Sequence, residues 1–197
     1  MRNSIFPRAG CLVGKAIALM ALLGLLAGSD PGFGGESSLT EYQVKSLFLL
    51  NFAKYVDWPA PAFETAKAPI VIGLLGGSGE GKFGHELAKA VEGKNVEGRP
   101  ILIRQMQTPE GLDHCHILFV RSSEKAALVE ILGSLKTKPV LTVGETDQFM
   151  EQGGVINFVK KEGKIRLEIN LDAARLANLQ ISSKLLNVAD VIRGKVK

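Results

Sequence analysis

Apolar side chains recur every three to four positions over residues 44–56, a spacing that places them on one face of a helix. Thr40 and Gln43 have the spacing of a capping box, in which each side chain bonds the backbone N–H of the other residue. Pro59 disfavours helical backbone at the residue before it. The sequence therefore predicts a helix that begins after Thr40 and ends at Asp57.

Beyond this helix, short apolar runs alternate with helical patterns. Strands are predicted at residues 69–75, 100–104, 116–120 and 139–143, and helices at residues 83–91 and 123–135. The order strand, helix, strand, strand, helix, strand is typical of a layered α/β domain with a mainly parallel sheet. Because parallel sheets are buried on both sides, we expect helices on both faces.

The pattern changes near the carboxyl terminus. Residues 154–159 and 164–170 resemble strands, and the turn-like link between them predicts an antiparallel hairpin. A short helix from about Asp172 and a second over residues 182–192 are predicted to follow. The expected fold class is α/β: a single layered domain with a mainly parallel sheet, helices on both faces and a C-terminal antiparallel hairpin at the edge.

The first 29 residues have the layout of a secretory signal peptide. This segment contains three basic residues and no acidic one, and the basic residues all come before an apolar run over residues 16–27. Small residues follow the run up to Ser29. We expect cleavage after Ser29, a flexible leader over residues 30–38, a single domain over residues 39–197 and a periplasmic location. An uncleaved membrane anchor is the alternative, disfavoured because a spanning helix needs about 20 apolar residues.

Charge and cysteine content narrow the function of the exported protein. The 197-residue chain has 24 basic and 20 acidic residues and a formal net charge of +4. The signal peptide carries three of the basic residues and no acidic one, so the mature net charge is +1. Scattered basic residues do not indicate nucleic-acid binding. Cys11 leaves with the signal peptide, and we expect Cys115 to be buried on one strand face with Ile117 and Phe119.

The glycine-rich segment over residues 76–83 resembles a phosphate-binding loop between a strand and a helix. Phe83, however, occupies the position of the Ser or Thr that binds magnesium. A shifted match to the dinucleotide fingerprint, Gly79-x-Gly81-x-x-Gly84, is weak in a chain with 22 glycines. A structural turn is therefore favoured over a phosphate or other anion at the helix N-terminus.

Asp113-His114-Cys115-His116 places four potential metal ligands in a row. In a strand, the two histidines point to one side and the cysteine to the other, and His85 is a third ligand only if its helix lies over that strand end. Metal binding is thus disfavoured. No nucleophile-elbow serine and no motif-placed carboxylate pair occurs, so we predict neither a cofactor nor enzymatic activity.

Trp58 and a charged strand are the remaining candidates for function. Trp58 is the only tryptophan and lies at a helix end, where core packing and a role in an interface are both open. Arg166 and Glu168 alternate with apolar neighbours, so we expect them to share a polar face. That face is either solvated or the charged wall of a binding groove.

Several segments, taken in order, resemble the YfiR/HmsC-like family of bacterial periplasmic regulators. They include Phe52-Ala-Lys-Tyr-Val-Asp-Trp-Pro59 at the first helix end and Glu168-Ile-Asn-Leu-Asp-Ala173 after the predicted hairpin turn. The others lie at residues 70–76, 139–144, 153–158 and 181–186, so that the resemblance extends over residues 42–192.

The resemblance implies a non-catalytic α/β domain that represses an inner-membrane diguanylate cyclase by binding its periplasmic sensor region. Repression lowers cyclic-di-GMP and biofilm formation, and in related systems an OmpA-like outer-membrane lipoprotein captures the regulator. Carried over by motif, Trp58, Glu168, Gln180 and Ser182 are the expected partner-binding residues.

Three matters stay open at this point. The family can carry more cysteines, and Cys115 lacks an intrachain partner here, which argues against disulfide-based redox sensing within one chain. A monomer and a homodimer are both open. The alternative function is a periplasmic small-ligand binding protein that holds an anion or nucleotide at its glycine-rich turn.

Overall fold

The computed structural model describes residues 39–77 and 81–192 of the chain. The predicted signal peptide, its cleavage site, Cys11 and the leader lie outside these residues, as does the middle of the glycine-rich segment. Within the described part of the chain, no helix is long and apolar enough to cross a membrane.

Five α-helices, three short 3₁₀-helices and ten strands are described in these two ranges. The α-helices are α1 (Glu41–Tyr55), α2 (Lys82–Val91), α3 (Leu128–Leu135), α4 (Leu171–Leu176) and α5 (Ser183–Leu186). The strands are β1 (Val56–Asp57), β2 (Ile70–Leu75), β3 (Asn95–Val96), β4 (Arg99–Met106), β5 (Ile117–Val120), β6 (Leu141–Gly144), β7 (Ile156–Lys161), β8 (Lys164–Asn170), β9 (Gln180–Ile181) and β10 (Asp190–Ile192).

Eight of the strands form one sheet, in the order β10-β8-β7-β6-β5-β2-β4-β3. The run from β7 through β6, β5 and β2 to β4 is parallel throughout. β1 and β9 form a separate antiparallel ribbon of two strands. The expected mainly parallel sheet is confirmed.

Helices cover both faces of the sheet, as expected. A first core packs α1 and α2, through side chains such as Phe52 and Phe83, against Ile72 and Leu74 of β2. A second core packs α3 against the alternate side chains of the same strands, among them Leu75. Successive strand residues point to opposite faces, so the two cores lie on opposite sides of the sheet.

The predicted hairpin forms at one end of the sheet. β7 and β8 pair antiparallel, with Lys161 opposite Lys164. Glu162 and Gly163 connect them with φ values of 51° and 74°, the positive angles required by the two-residue turn that fits strand twist. β10 adds one parallel strand outside β8, with Asp190 opposite Glu168.

Three predicted helices are shorter in the structure, two of them because of strand pairing. α1 ends at Tyr55 rather than Asp57, because Val56 and Asp57 pair with β9. The helix predicted over residues 123–135 opens as a 3₁₀-helix, Ser122–Ala127, before α3 begins. The helix predicted over residues 182–192 was wrong beyond Leu186, because residues 190–192 instead satisfy their backbone groups on β8.

Candidate partner-binding surface

Trp58 is half-buried, and its ring is fixed from two sides. Its indole Nε1 donates a hydrogen bond of 3.1 Å to the backbone carbonyl of His116. The ring packs against the first core and meets the His116 imidazole edge to face, with centroids 6.1 Å apart. Trp58 therefore has a structural role, and part of its ring still reaches solvent.

His116 is buried beneath Trp58 and connects three segments. Its Nδ1 accepts the Val71 N–H at 3.1 Å, so the ring proton is on Nε2, which donates to the Ala62 carbonyl at 3.1 Å. Phe63 stacks on the imidazole at 4.4 Å. Burial lowers the pKa of His116, the nearby charge of Arg99 lowers it further, and the Ala62 bond only partly opposes these effects.

The β1–β9 ribbon brings Gln180 and Ser182 to the same end of α1 as Trp58. Asp57 lies opposite Gln180, and both side chains are exposed. Ser182 donates its N–H to the carbonyl of Tyr55 at 2.9 Å, while its Oγ accepts from Lys184 and so caps α5. Three of the four predicted partner-binding residues thus lie in the ribbon or directly beside it in the chain, and Asp57, Trp58, Gln180 and Ser182 are called here the ribbon surface.

Glu168, the fourth predicted residue, lies elsewhere. Its neighbours Leu167 and Ile169 point into the first core, so Glu168 projects from the opposite face of the sheet. Lys161 Nζ lies 3.4 Å from Glu168 and 2.8 Å from Asp190. Hydrogen bonding to Asp190 raises the pKa of Lys161, and the same bond lowers the pKa of Asp190. Glu168 therefore belongs to an edge ion cluster rather than to the ribbon surface.

The glycine-rich turn is explained by packing at its described ends. Gly76 and Gly77 have φ values of 87° and 81°, which side chains rarely adopt. A Cβ at Gly77 would overlap the Arg121 guanidinium. Phe83, at the position that would have to bind magnesium, is buried in the first core. These contacts support the structural turn.

The residues considered as metal ligands are separated in the structure. His116 is buried and uses both ring nitrogens, whereas the His114 side chain is 71% exposed. His85 lies in the first turn of α2, which follows the carboxyl end of β2, while His116 precedes the amino end of β5. No group of three potential ligands comes together within residues 39–77 and 81–192.

Cys115 is buried, as predicted, but against other neighbours. Its Sγ lies 3.7 Å from Met106 Sδ and would be 2.6 Å from a Cβ at Gly73. It thus belongs to the second core, whereas Ile117 and Phe119 belong to the first. The expected shared face was wrong because Cys115 precedes β5, where strand alternation does not apply. Burial raises the pKa of the thiol.

The sequence analysis missed a buried lysine at the carboxyl edge of the sheet. Lys45 Nζ contacts Glu41 at 2.6 Å and Glu145 at 2.8 Å. Burial alone would lower the pKa of Lys45, but hydrogen bonds to the two carboxylates outweigh it and raise the pKa. Glu145 also accepts the Ser122 N–H at 3.0 Å. The i,i+4 spacing of Glu41 and Lys45 was a local signal, but Glu145 lies 100 residues away.

These residues border a cleft of about 350 Å³, called here the carboxyl-edge cleft. Its charged lining consists of Lys45, Arg121, Lys160, Glu41 and Glu145. A second cavity of about 590 Å³ lies at the amino edge, beside Phe63 and His116.

Comparison with known proteins gives a family match and several similar folds. The sequence profile of the YfiR/HmsC-like family matches residues 42–190. No curated protein gives a significant sequence match.

Two of the similar structures each have a TM-score of 0.51 and 13% sequence identity. A conserved domain protein from Vibrio cholerae O1 biovar eltor is matched over 80% of this chain and 62% of its own. An ABC domain in complex with L-Trp from Streptococcus pneumoniae is matched over 75% of this chain and 60% of its own. The chain thus spans less than two thirds of either structure, and at this identity the likeness concerns the α/β fold alone.

Proposed function

The chain belongs to the YfiR/HmsC-like family, whose members are periplasmic regulators of diguanylate cyclases, and we propose that it restrains such a cyclase without catalysing a reaction. The regulator would bind the periplasmic sensor region of an inner-membrane cyclase and so lower cyclic-di-GMP and biofilm formation. The observation that carries the proposal is the family match over residues 42–190, which includes nearly every described element.

The ribbon surface is the contact we propose for the cyclase. Trp58 presents part of an amphipathic ring, a side chain that is enriched at the centres of protein interfaces. Its bond to His116 holds the ring in one orientation, which reduces the entropy lost on binding. Asp57 and Gln180 supply exposed polar groups beside it. In this proposal Glu168, on the other sheet face, contributes to a separate contact, for which an OmpA-like lipoprotein is the candidate partner.

Gln180→Arg tests the ribbon surface without disturbing the core, because this side chain is exposed. Gln148→Arg, at another exposed glutamine outside the ribbon surface, is the matched control. We expect Gln180→Arg to weaken capture of the cyclase periplasmic region about tenfold or more. Gln148→Arg should bind like the unmodified protein. Equal binding by the two variants would contradict the assignment of this surface.

Deletion of the gene tests the function itself. Cellular cyclic-di-GMP should rise in the deletion strain and return to its starting level on complementation. Unchanged cyclic-di-GMP, together with no cyclase recovered from membranes by pull-down, would refute the regulatory role.

Capture of a small anionic solute in the periplasm is the second candidate function. The carboxyl-edge cleft favours it, because α/β proteins bind ligands outside the carboxyl ends of their strands. Gene neighbourhood discriminates between the two functions: a flanking membrane cyclase supports regulation, and a transporter operon supports solute capture.

A further inference from the structure

The carboxyl-edge cleft lies where the chain reverses its direction across the sheet. β2 and β5 are neighbours in the sheet. From β2 the chain continues to β4, which lies on the far side of β2 from β5. From β5 it continues to β6, in the opposite direction across the sheet. α2 packs on one face of the sheet and α3 on the other. The two connections diverge above the carboxyl ends of β2 and β5, and such divergence leaves a crevice that open α/β sheets use for ligands.

The charges in this cleft do not balance. Lys45, Arg121 and Lys160 contribute three positive charges, against the two carboxylates of Glu41 and Glu145. Lys45 is held between both carboxylates, and Lys160 lies 3.6 Å from Glu41. Within the described ranges, the Arg121 guanidinium has neither an ion pair nor a side-chain hydrogen bond. Among the described residues that line the cleft, one positive charge therefore lacks a compensating carboxylate.

Aromatic rings form an apolar wall beside these charges. Tyr42 meets Phe83 edge to face at 5.8 Å, and Phe83 lies 5.0 Å from Phe119. Phe119 in turn meets Phe158 at 5.9 Å. All four rings line the cleft, but only Tyr42 is exposed, whereas the three phenylalanines are almost fully buried. An apolar wall with a few converging polar groups is the usual composition of a small-molecule site.

We propose that the carboxyl-edge cleft binds a small organic monocarboxylate. The carboxylate pairs with the Arg121 guanidinium, whose planar donors match it in a bidentate manner. The apolar body of the ligand lies against the exposed Tyr42. The volume of about 350 Å³ is at the lower end for ligand pockets, which limits the ligand to a compact molecule.

This site differs from the phosphate loop that the glycine-rich sequence suggested. Its charged groups are side chains of α1, β7 and the residues that follow β5 and β6, not backbone amides of the turn. A single uncompensated positive charge favours a monoanion over a phosphate dianion. Ligand binding to the purified protein does not require the cyclase. A negative binding experiment would therefore refute the ligand site without refuting the proposed regulatory function.

Titration of the purified protein with benzoate, followed by ¹H–¹⁵N NMR, tests the site. We expect saturable chemical-shift changes at the amides of Tyr42, Phe119 and Ser122, with a Kd of about 1 mM. Hexanoate should shift the same amides. Benzyl alcohol, which keeps the ring but lacks the charge, should not produce saturable shifts there.

Variants assign the anion contact. Arg121→Gln should raise the Kd for benzoate about tenfold. Arg175→Gln, at an exposed arginine of α4 outside the cleft, should leave it unchanged. Lys160→Gln, at an exposed lysine of the cleft, should raise the Kd for benzoate about threefold. This variant replaces Arg121→Gln in the test if Arg121→Gln fails to fold. Absence of saturable shifts with both carboxylates, or equal affinity of Arg121→Gln and Arg175→Gln, would overturn the proposal.

Discussion

His116 holds three segments together through one neutral imidazole. Its Nδ1 must lack a proton to accept the Val71 N–H, and its Nε2 must carry one to bond Ala62. The loop after α1, the start of β2 and the entry to β5 therefore depend on a single tautomer. The need for an unprotonated Nδ1 and the burial of the ring both oppose protonation of His116 in the folded state.

The His116 contacts predict that the protein loses stability in mild acid. Because the folded pKa is below the ordinary value of 6.5, the unfolded chain takes up a proton as the pH falls through that value and the folded protein does not. The free energy of unfolding should therefore fall between pH 7.5 and 5.5, as measured by urea denaturation. His116→Asn keeps an acceptor for Val71 but does not titrate. A pH dependence as steep in this variant as in the unmodified protein would contradict the assignment.

Trp58 makes a structural hydrogen bond and is only half-buried, so two substitutions separate its roles. Trp58→Phe keeps an aromatic ring and removes the donor to His116, which should cost about 1 kcal/mol of unfolding free energy. Trp58→Ala also removes the packing and should cost about 3 kcal/mol or more. If the ring is an interface anchor, Trp58→Ala should weaken cyclase binding well beyond Trp58→Phe when both are measured below their melting temperatures. Equal binding by folded Trp58→Ala and the unmodified protein would leave Trp58 with a structural role only.

At the scale of elements, the segment between β6 and β7 is fixed by one aromatic side chain. Phe149 is fully buried, and its ring lies over both Gly144 at the end of β6 and Gly154 before β7. A Cβ at either glycine would overlap the ring. Because both positions are glycine, the segment can fold back across the strand ends, and β7 then pairs with β6 in the sheet.

Two glycine substitutions test this contact against ordinary helix propensity. Gly154→Ala should lower the free energy of unfolding by about 1–3 kcal/mol, because the new Cβ overlaps Phe149. At Gly133, in α3, an added Cβ would have no atom within 4 Å. Gly133→Ala should therefore raise the free energy of unfolding by up to about 1 kcal/mol. Chemical denaturation of both variants gives the comparison. A stabilising Gly154→Ala would refute the packing argument.

At the scale of the whole molecule, the two faces and two edges of the sheet separate its surfaces. The ribbon surface lies at the end of α1 on the first-core side, and the Glu168 ion cluster projects from the opposite face. The carboxyl-edge cleft lies at the start of α1, beside Glu41 and Lys45. In the proposed function, a cyclase, a lipoprotein and a small ligand would thus each contact a different part of one domain.

Export is the remaining prediction at this scale. Basic residues, an apolar run and a small-residue site predict removal of residues 1–29. Intact mass spectrometry of the protein from the periplasmic fraction should give a chain that begins at Asp30. Recovery of the full chain with Met1 from the cytoplasm would contradict the location and the regulatory role with it.

The local features of this fold could be predicted from the sequence. The capping box of Thr40 and Gln43 forms as predicted, because both partners lie within one helical turn. The buried strands β2 and β5 and the hairpin of β7 and β8 were identifiable because apolar runs and turn residues report local burial and backbone angles. The α/β class followed from the order of these elements.

The contacts between distant groups could not be predicted from the sequence and became evident in the fold. Trp58 and its His116 acceptor are 58 residues apart, and Lys45 and Glu145 are 100 apart. No local periodicity encodes such pairs, because they depend on which strands become neighbours and on where each connection crosses the sheet. For the same reason, the predicted partner-binding residues divided between two faces, and the last predicted helix gave way to a strand on β8. The sequence specifies what each segment can form, and long-range backbone pairing and burial select among those options.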